Sequence, residues 1–391
     1  MNLLLVFDSH PVQYRAPLWR QINSIEPKSL HVVYASDCSV KGHADSGFGQ
    51  TFAWDDPMLS GYESTVLNCE NGVALSGWNS LSGKGIAEAL ATLKPSTVLL
   101  TGLNYRFDLI ALFEAKRKGI PVWLRCETQD YAIKRSKIKS YVRGLIYAIA
   151  YKFFDKIFYI GELNRLHYLK HGVPPEKLYP ALYGTVNRYQ GLSIEEKLSR
   201  RDSTRKKAAI SQSKFVIGFS GKFIDKKNPA ILFDMLKRID ENLLAGIVLY
   251  FVGSGELEPV LKEKAAEAFD DFRVSTFFSG FVNQSEIGNH YLAMDILVLP
   301  SRKMGETWGL VVNEAMQAGC GVVASNVVGS SENFKDFPRF RVFKDDDPQD
   351  LANQVTSLSL FPRSLNWADE LLIPYSIDTS SESIFNQLAQ S

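Results

Sequence analysis

LPSRKMGETWGLVVNEAMQAGCGVVASNVVGSSE, residues 299–332, holds two glutamates, Glu306 and Glu314, with seven residues between them. A short apolar strand stopped by proline, DILVLP at 295–300, leads into it. Gly305, Thr307 and Gly309 mark a turn, and the spacing predicts a helix over about 310–318, with Gly319 as its C′ residue. A second strand follows at 321–325, GVVAS. Glu306 therefore belongs to the turn and Glu314 to the helix. At about 1.5 Å of rise per residue, their carboxylates lie on the order of 10 Å apart. That span suits a ligand with two polar ends rather than one reacting bond. Amides of residues 307–310 open the helix between the two acids and offer an anion site. A sugar, a diphosphate and a ribose match that order.

The same strand–helix alternation runs outward in both directions. Towards the N-terminus of this half, strands are expected at 215–219, 247–252 and 274–278, and helices at 229–239, 258–268 and 284–292. Beyond it come a strand at 339–343 and a helix for which Asp347 is N-cap and Pro348 N1. The first half opens with a strand at 3–7, a helix bearing Leu18, Trp19 and Ile22, and a strand at 30–35. Residues 36–82, rich in Gly, Ser, Asp and aromatics, interrupt the rhythm and read as a functional loop or a mobile one. It resumes with helices at 85–93 and 107–118 and strands at 97–101, 121–125 and 156–160, and a last strand within 171–187. The expectation is α/β: two Rossmann-like doubly wound domains facing across a cleft. Residues 1–190 form the first, 191–214 a charged linker with some helix and 215–372 the second. Residues 373–391 carry a helix, expected over 380–389, that packs back on the first domain.

Composition narrows the class. The 391 residues are 45% hydrophobic and 22% charged, with net charge +1, which gives no basis for a nucleic-acid partner. Four dispersed cysteines indicate neither a zinc cage nor a disulfide framework. The opening MNLLLVF lacks the basic region of a signal peptide, and no apolar run has spanning length, so a cytoplasmic location is expected. KRSKIKSYVRGLIYAIAYKFFDK, residues 134–156, carries seven Lys or Arg and one acid. As a helix it suits an anionic membrane surface; the alternative is a domain helix with a solvated basic end.

Lys222 and Lys227 lie five apart in a loop after the first strand of the second half, leading into a helix. They are placed to neutralise a diphosphate leaving group, or form only a solvated basic turn. Gly221 begins that loop, and Gly253 begins the strand-end turn GSGE at 253–256. Together with SGFV at 279–282, AMDILVLPS at 293–301 and the ETWGL–NEAMQAG run at 306–319, these residues resemble a family-4 retaining glycosyltransferase of the GT-B fold, glycosyltransferase group 1. The resemblance covers the second half in order, and SHPVQYRAPLW (9–19), WDDPMLSGY (54–62) and RCET (125–128) extend it to the first.

The resemblance implies roles by position. Glu306 would bind donor-sugar hydroxyls, and the amides of Thr307, Trp308, Gly309 and Leu310 would lie near sugar and phosphate. Glu314 would hold the ribose, Lys222 and Lys227 the diphosphate, and the backbone at Phe281 and Val282 the base. Two departures stand out. Ser9-His10-Pro11-Val12 replaces the usual Gly-Gly loop, and Arg125-Cys126-Glu127-Thr128 stands where a His is common. Glu127, or else His10, becomes the first-domain residue facing the sugar. The alternatives are a Glu127–Arg125 ion pair and a His10 that only packs at the helix entry. The family implies front-face retaining hexosyl transfer, with no metal or other cofactor. Asp345-Asp346-Asp347 contains D-x-D but reads as strand exit and helix cap. The donor would be a nucleotide sugar and the acceptor a glycan or lipid-linked glycan, in cell-surface polysaccharide or lipopolysaccharide synthesis. Two other readings are a sugar-nucleotide epimerase, which six histidines with few at strand ends hardly supply, and a non-catalytic sugar-nucleotide-binding protein.

Overall fold

The computed structural model describes residues 2–40, 43–45, 50–52, 57–71, 75 and 77–390. Residues 54–56 of the WDDPMLSGY motif lie outside the described residues. The first half contains β1 (Leu4–Asp8), β2 (Leu30–Tyr34), β3 (His43–Asp45), β4 (Gln50–Phe52), β5 (Glu63–Val66), β6 (Thr97–Leu100), β7 (Val122–Leu124), β8 (Lys156–Tyr159) and β9 (Leu178–Pro180). The second contains β10 (Phe215–Ser220), β11 (Ile247–Val252), β12 (Ser275–Phe278), β13 (Ile296–Leu299), β14 (Gly321–Ser325) and β15 (Phe340–Phe343). Seven strands form one sheet, in the order β5-β2-β1-β6-β7-β8-β9, and six form another, β12-β11-β10-β13-β14-β15. Every pairing in both sheets is parallel. β3 and β4 form a separate antiparallel pair.

The continuous apolar runs follow from this architecture, because a parallel sheet is covered on both faces. In the second sheet Val216, Val248, Leu297 and Val322 pack on one side, and Ile217, Leu249, Ile296 and Val323 on the other. The first sheet divides likewise, Leu5, Phe7 and Val98 against Leu4, Val6 and Leu99. Chain order reverses between β1 and β6 and between β10 and β13. These are the crevices where open α/β sheets take ligands.

Three expectations change. The irregular segment 36–82 contributes β5, a parallel edge strand whose ESTV sequence alternates exposed and half-buried positions. An edge strand needs no apolar run, so its pattern gives no signal. The charged segment 191–214 is not a bare linker. Residues Ile194–Lys207 form a helix capped reciprocally by Ser193 and Glu196. Its Arg205 is fully buried, 2.7 Å from Asp295, and donates also to the carbonyls of Ala293 and Lys214. Here a paired charge is the core residue. The last helix starts earlier than expected, at Ile377, with Ser376 accepting from the Thr379 amide at 3.1 Å. Its Ile384 and Leu388 pack with Leu4 and Trp19 against the first sheet.

Candidate active site

The turn after β13 is built around Glu306. Its Oε2 accepts from Lys227 Nζ at 2.5 Å and from Ser301 Oγ at 3.1 Å. Lys226 Nζ donates to the Gly305 carbonyl at 2.9 Å, so the β10 loop is tied to this turn. Burial pushes the Glu306 pKa up, but Lys227 and Lys226 outweigh it and hold the pKa below its ordinary value. Glu306 is thus a buried carboxylate that keeps its charge. Lys222 sits half-buried on the same loop, close enough for its charge to depress Lys226.

Glu314 lies in the helix Val311–Gln317, which is closed by Gly319 at φ 78°. Its Oε2 accepts from Tyr291 OH at 2.8 Å. Burial raises its pKa, against smaller opposing effects of Tyr291 and Arg188. Glu314 lines one cleft with Gly221, Gly253, Phe281, Val282 and Leu310. Gln13, Tyr14 and Ile377 close the cleft from the first half and the last helix. Gly253 has φ 130°, and a Cβ there would lie 2.0 Å from the Gly221 carbonyl oxygen. Only glycine lets these two strand ends approach.

Glu127 faces the Glu306 turn from the first half. It accepts from Tyr183 OH, and from Thr307 Oγ1 at 3.3 Å. Gln129 Nε2 donates to the Thr307 carbonyl at 3.1 Å. Arg125 forms no ion pair with Glu127 among the described residues. It donates to the Ala181 carbonyl at 3.1 Å and lies over the Tyr183 ring. His10, bonded to Ser9 Oγ at 3.0 Å, lines a second pocket with Glu127 and Thr307. Tyr14 lines both pockets and joins them, and the Glu127 charge raises its pKa.

Trp308 lines neither pocket: its side chain packs against Tyr183 and Phe334 and donates to Asn313 Oδ1 at 2.9 Å. A Cβ on Gly161 would meet that indole at 2.2 Å, so Trp308 is a spacer between the halves. Gly309, at φ 91°, packs against Leu299 and Val328 and allows the turn to enter the helix.

The second pocket is also lined by Thr101 and Asp108, which the sequence motifs do not mark, and its Arg15 and Thr101 hold Asp8. Asp8, at the end of β1, pairs with Arg15 at 3.1 Å and accepts from Thr101 Oγ1 at 3.0 Å. Burial raises its pKa in spite of both. Asp108 accepts from the Asn104 and Tyr105 amides, yet burial pushes its pKa up to about 6. An acid at the end of the first strand is a visible signal for Asp8. Nothing local marks Asp108, Tyr183 or Tyr291. The Asp345–Asp347 run ends as a helix cap, as its sequence suggests: Asp347 caps the helix Pro348–Ser359, accepting from the Asp350 amide at 3.0 Å.

Residues 200–366 match the family of glycosyl transferases group 1. An uncharacterized glycosyltransferase of Methanocaldococcus jannaschii is 30% identical over 164 residues, covering 41% of this chain and 40% of that protein. D-inositol 3-phosphate glycosyltransferase 1 of Catenulispora acidiphila is 31% identical over 166 residues, covering 41% and 38%. The match thus spans about two-fifths of each curated relative's length. HepE of Anabaena, solved in complex with UDP, superposes with a TM-score of 0.74 at 16% identity, covering 100% of both chains. WaaG, a glycosyltransferase involved in lipopolysaccharide biosynthesis, gives 0.63 at 13%, again over 100% of both chains. The chain has the two-sheet GT-B fold of these structures, and the family match falls on the half that contains Glu306 and Glu314.

Proposed function

We propose that this protein is a retaining hexosyltransferase that moves a sugar from a nucleotide diphosphate donor to a glycan or lipid-linked acceptor. The observation that carries this reading is the placement of Glu306, with Lys227, and Glu314 at the strand ends of a unit matching group 1 glycosyltransferases. The ribose and base lie by Glu314, Phe281 and Val282, and the diphosphate reaches Lys222 and Lys227. Glu306 takes the sugar hydroxyls. Lys227 pairs with Glu306 before the donor arrives and turns to the diphosphate as it binds. The acceptor enters from the pocket holding Glu127 and His10. Its hydroxyl oxygen bonds to the anomeric carbon on the face from which the diphosphate leaves. Its proton passes to a donor phosphate oxygen as the sugar–phosphate bond breaks. Positioning and charge stabilisation supply the rate, and no metal or cofactor takes part.

The acceptor is placed at the cytoplasmic face of a membrane, in cell-surface polysaccharide or lipopolysaccharide synthesis. The support is the helix Lys137–Ala150, on which no side chain is fully buried. Ile138, Tyr141, Ile146 and Ile149 stand exposed on it beside Lys137 and Lys139. That face fits the interface of an anionic bilayer. No helix among the described residues is long and apolar enough to cross one.

Thermal melting with UDP-, GDP-, ADP- and dTDP-sugars tests the donor reading. The UDP bound to HepE puts UDP-sugars first. A true donor at 100 times its Kd adds about 2.7 kcal/mol of stability. Failure of every nucleotide sugar to raise the melting temperature overturns the proposal.

A further inference from the structure

The loop after β7 carries Asp130 to a helix face that the transfer reaction does not use. His167 and His171 stand one helical turn apart at the end of the helix Glu162–Lys170, and both point to that carboxylate. His167 Nδ1 lies 3.1 Å from Asp130 Oδ1, and His171 Nε2 lies 3.4 Å from Oδ2. All three donor groups fall within 4.8 Å of one another. Neither ring nitrogen, both buried, makes a well-aligned hydrogen bond, although each lies within ion-pair distance of the carboxylate. A zinc ion bound at about 2.0–2.2 Å in tetrahedral geometry sets its ligands about 3.3–3.5 Å apart, so these groups, within 4.8 Å of one another, draw together by about 1 Å as it binds.

We propose that Asp130, His167 and His171 form a divalent transition-metal site, fitted to Zn2+, with the fourth position open to solvent. The surroundings match a metal's outer shell. His167 Nε2 is 2.8 Å from Tyr151 OH, and with Nε2 donating to that hydroxyl Nδ1 is the ligand atom. His167 is fully buried, whereas Asp130 and His171 line a groove with Arg143, Lys170 and Gly144, and this groove is the entry path. Gly144 lets the exposed amphipathic helix sit over the site, since a Cβ there would stand 3.1 Å from His171 Cε1.

Two cations already share the carboxylate, and they set the cost of entry. Arg143 Nη1 is 3.0 Å from Oδ1 and is held over the Tyr147 ring. Lys170 Nζ is 3.1 Å from Oδ2, but its side chain is 67% exposed and free to swing away. Metal binding displaces Lys170 and keeps Arg143. The ion would staple the loop bearing Glu127 and Gln129 to the helix Glu162–Lys170. It stiffens one wall of the second pocket and takes no part in the transfer step.

The test uses the full chain, stripped of metal with a chelator. Zn2+ uptake is measured by calorimetry, and Co2+ by the visible absorption of a tetrahedral ion. One ion per chain is expected, with affinity lowered more than about tenfold in His171→Ala and in Asp130→Asn. Circular dichroism establishes that both variants fold. Lys170→Ala binds Zn2+ more tightly than wild type, because the competing ammonium is gone. Absence of stoichiometric uptake, uptake unchanged in His171→Ala, or binding by Lys170→Ala no tighter than wild type overturns the proposal.

Discussion

Replacing Glu306 with glutamine keeps the shape of the side chain and removes its charge. The carboxylate accepts from Lys227 at 2.5 Å and Ser301 at 3.1 Å, and on the proposed pose it also accepts from donor-sugar hydroxyls. Hydrogen bonds to a charged group contribute about 1.5–3 kcal/mol each. Two such bonds to the sugar place the loss in kcat/KM at roughly 10²–10⁴-fold. On the proposed pose the nucleotide is held elsewhere, by Glu314, Phe281 and Val282, so its Kd should move by no more than about threefold, or about 0.6 kcal/mol. The fold is affected separately. Lys227 is only 18% exposed, and a buried charge that loses its partner costs up to about 3–5 kcal/mol.

The pH dependence has a definite sign. Glu306 has a folded-state pKa below its ordinary value, so it adds stability above the unfolded pKa, and that stability is lost as pH falls through the folded one. Glu306→Gln should therefore flatten the acid limb of the stability curve. Initial transfer rates, nucleotide titration calorimetry and urea unfolding at several pH values provide the three readouts. Transfer at near wild-type rate, or an equal loss of nucleotide affinity and turnover, refutes the assigned role.

Three further outcomes are expected. Gly253→Ala puts a Cβ 2.0 Å from the Gly221 carbonyl at φ 130°. It should cost at least about 1–3 kcal/mol in urea unfolding and weaken nucleotide binding with it. Asp108, whose pKa burial raises to about 6, favours folding most when protonated, so its contribution declines as pH rises through 4 to 6. Asp108→Asn should remove a slope on the order of 2–3 kcal/mol from stability measured across that window. Glutamine at Lys134, Arg135, Lys137 and Lys139 should weaken binding to phosphatidylglycerol vesicles by roughly 10²–10³-fold at low salt, at about 1 kcal/mol per charge. Unchanged co-sedimentation removes the membrane assignment.

Signals that reside in a few consecutive residues are legible in the chain alone. The runs LLVF, IVLYFV and ILVL are buried on both faces and become sheet centres. Asp347-Pro348 caps its helix, and Gly319 closes the one that carries Glu314. The donor half of the candidate site is legible for the same reason. Glu306, Glu314, Lys227 and the strand-end glycines follow short strands in fixed order, so chain position alone predicts that they lie at the strand ends of one sheet.

Tertiary structure decided the rest. Arg205 looks like a linker residue until Asp295, distant in the chain, neutralises it in the core. β5 is polar because an edge strand is covered on one side only. The second pocket gathers Arg15, Thr101, Asp108 and Glu127 from separate elements and their loops, and Asp130 meets His167 and His171 only through the packing of a helix. No window of sequence contains these groups together. Local periodicity specifies which face of an element is buried, whereas the partner of a buried charge is chosen by contacts made across the folded chain. The chain by itself therefore determined the two sheets and the candidate donor clamp, and the packing of one half on the other decided what faces that clamp.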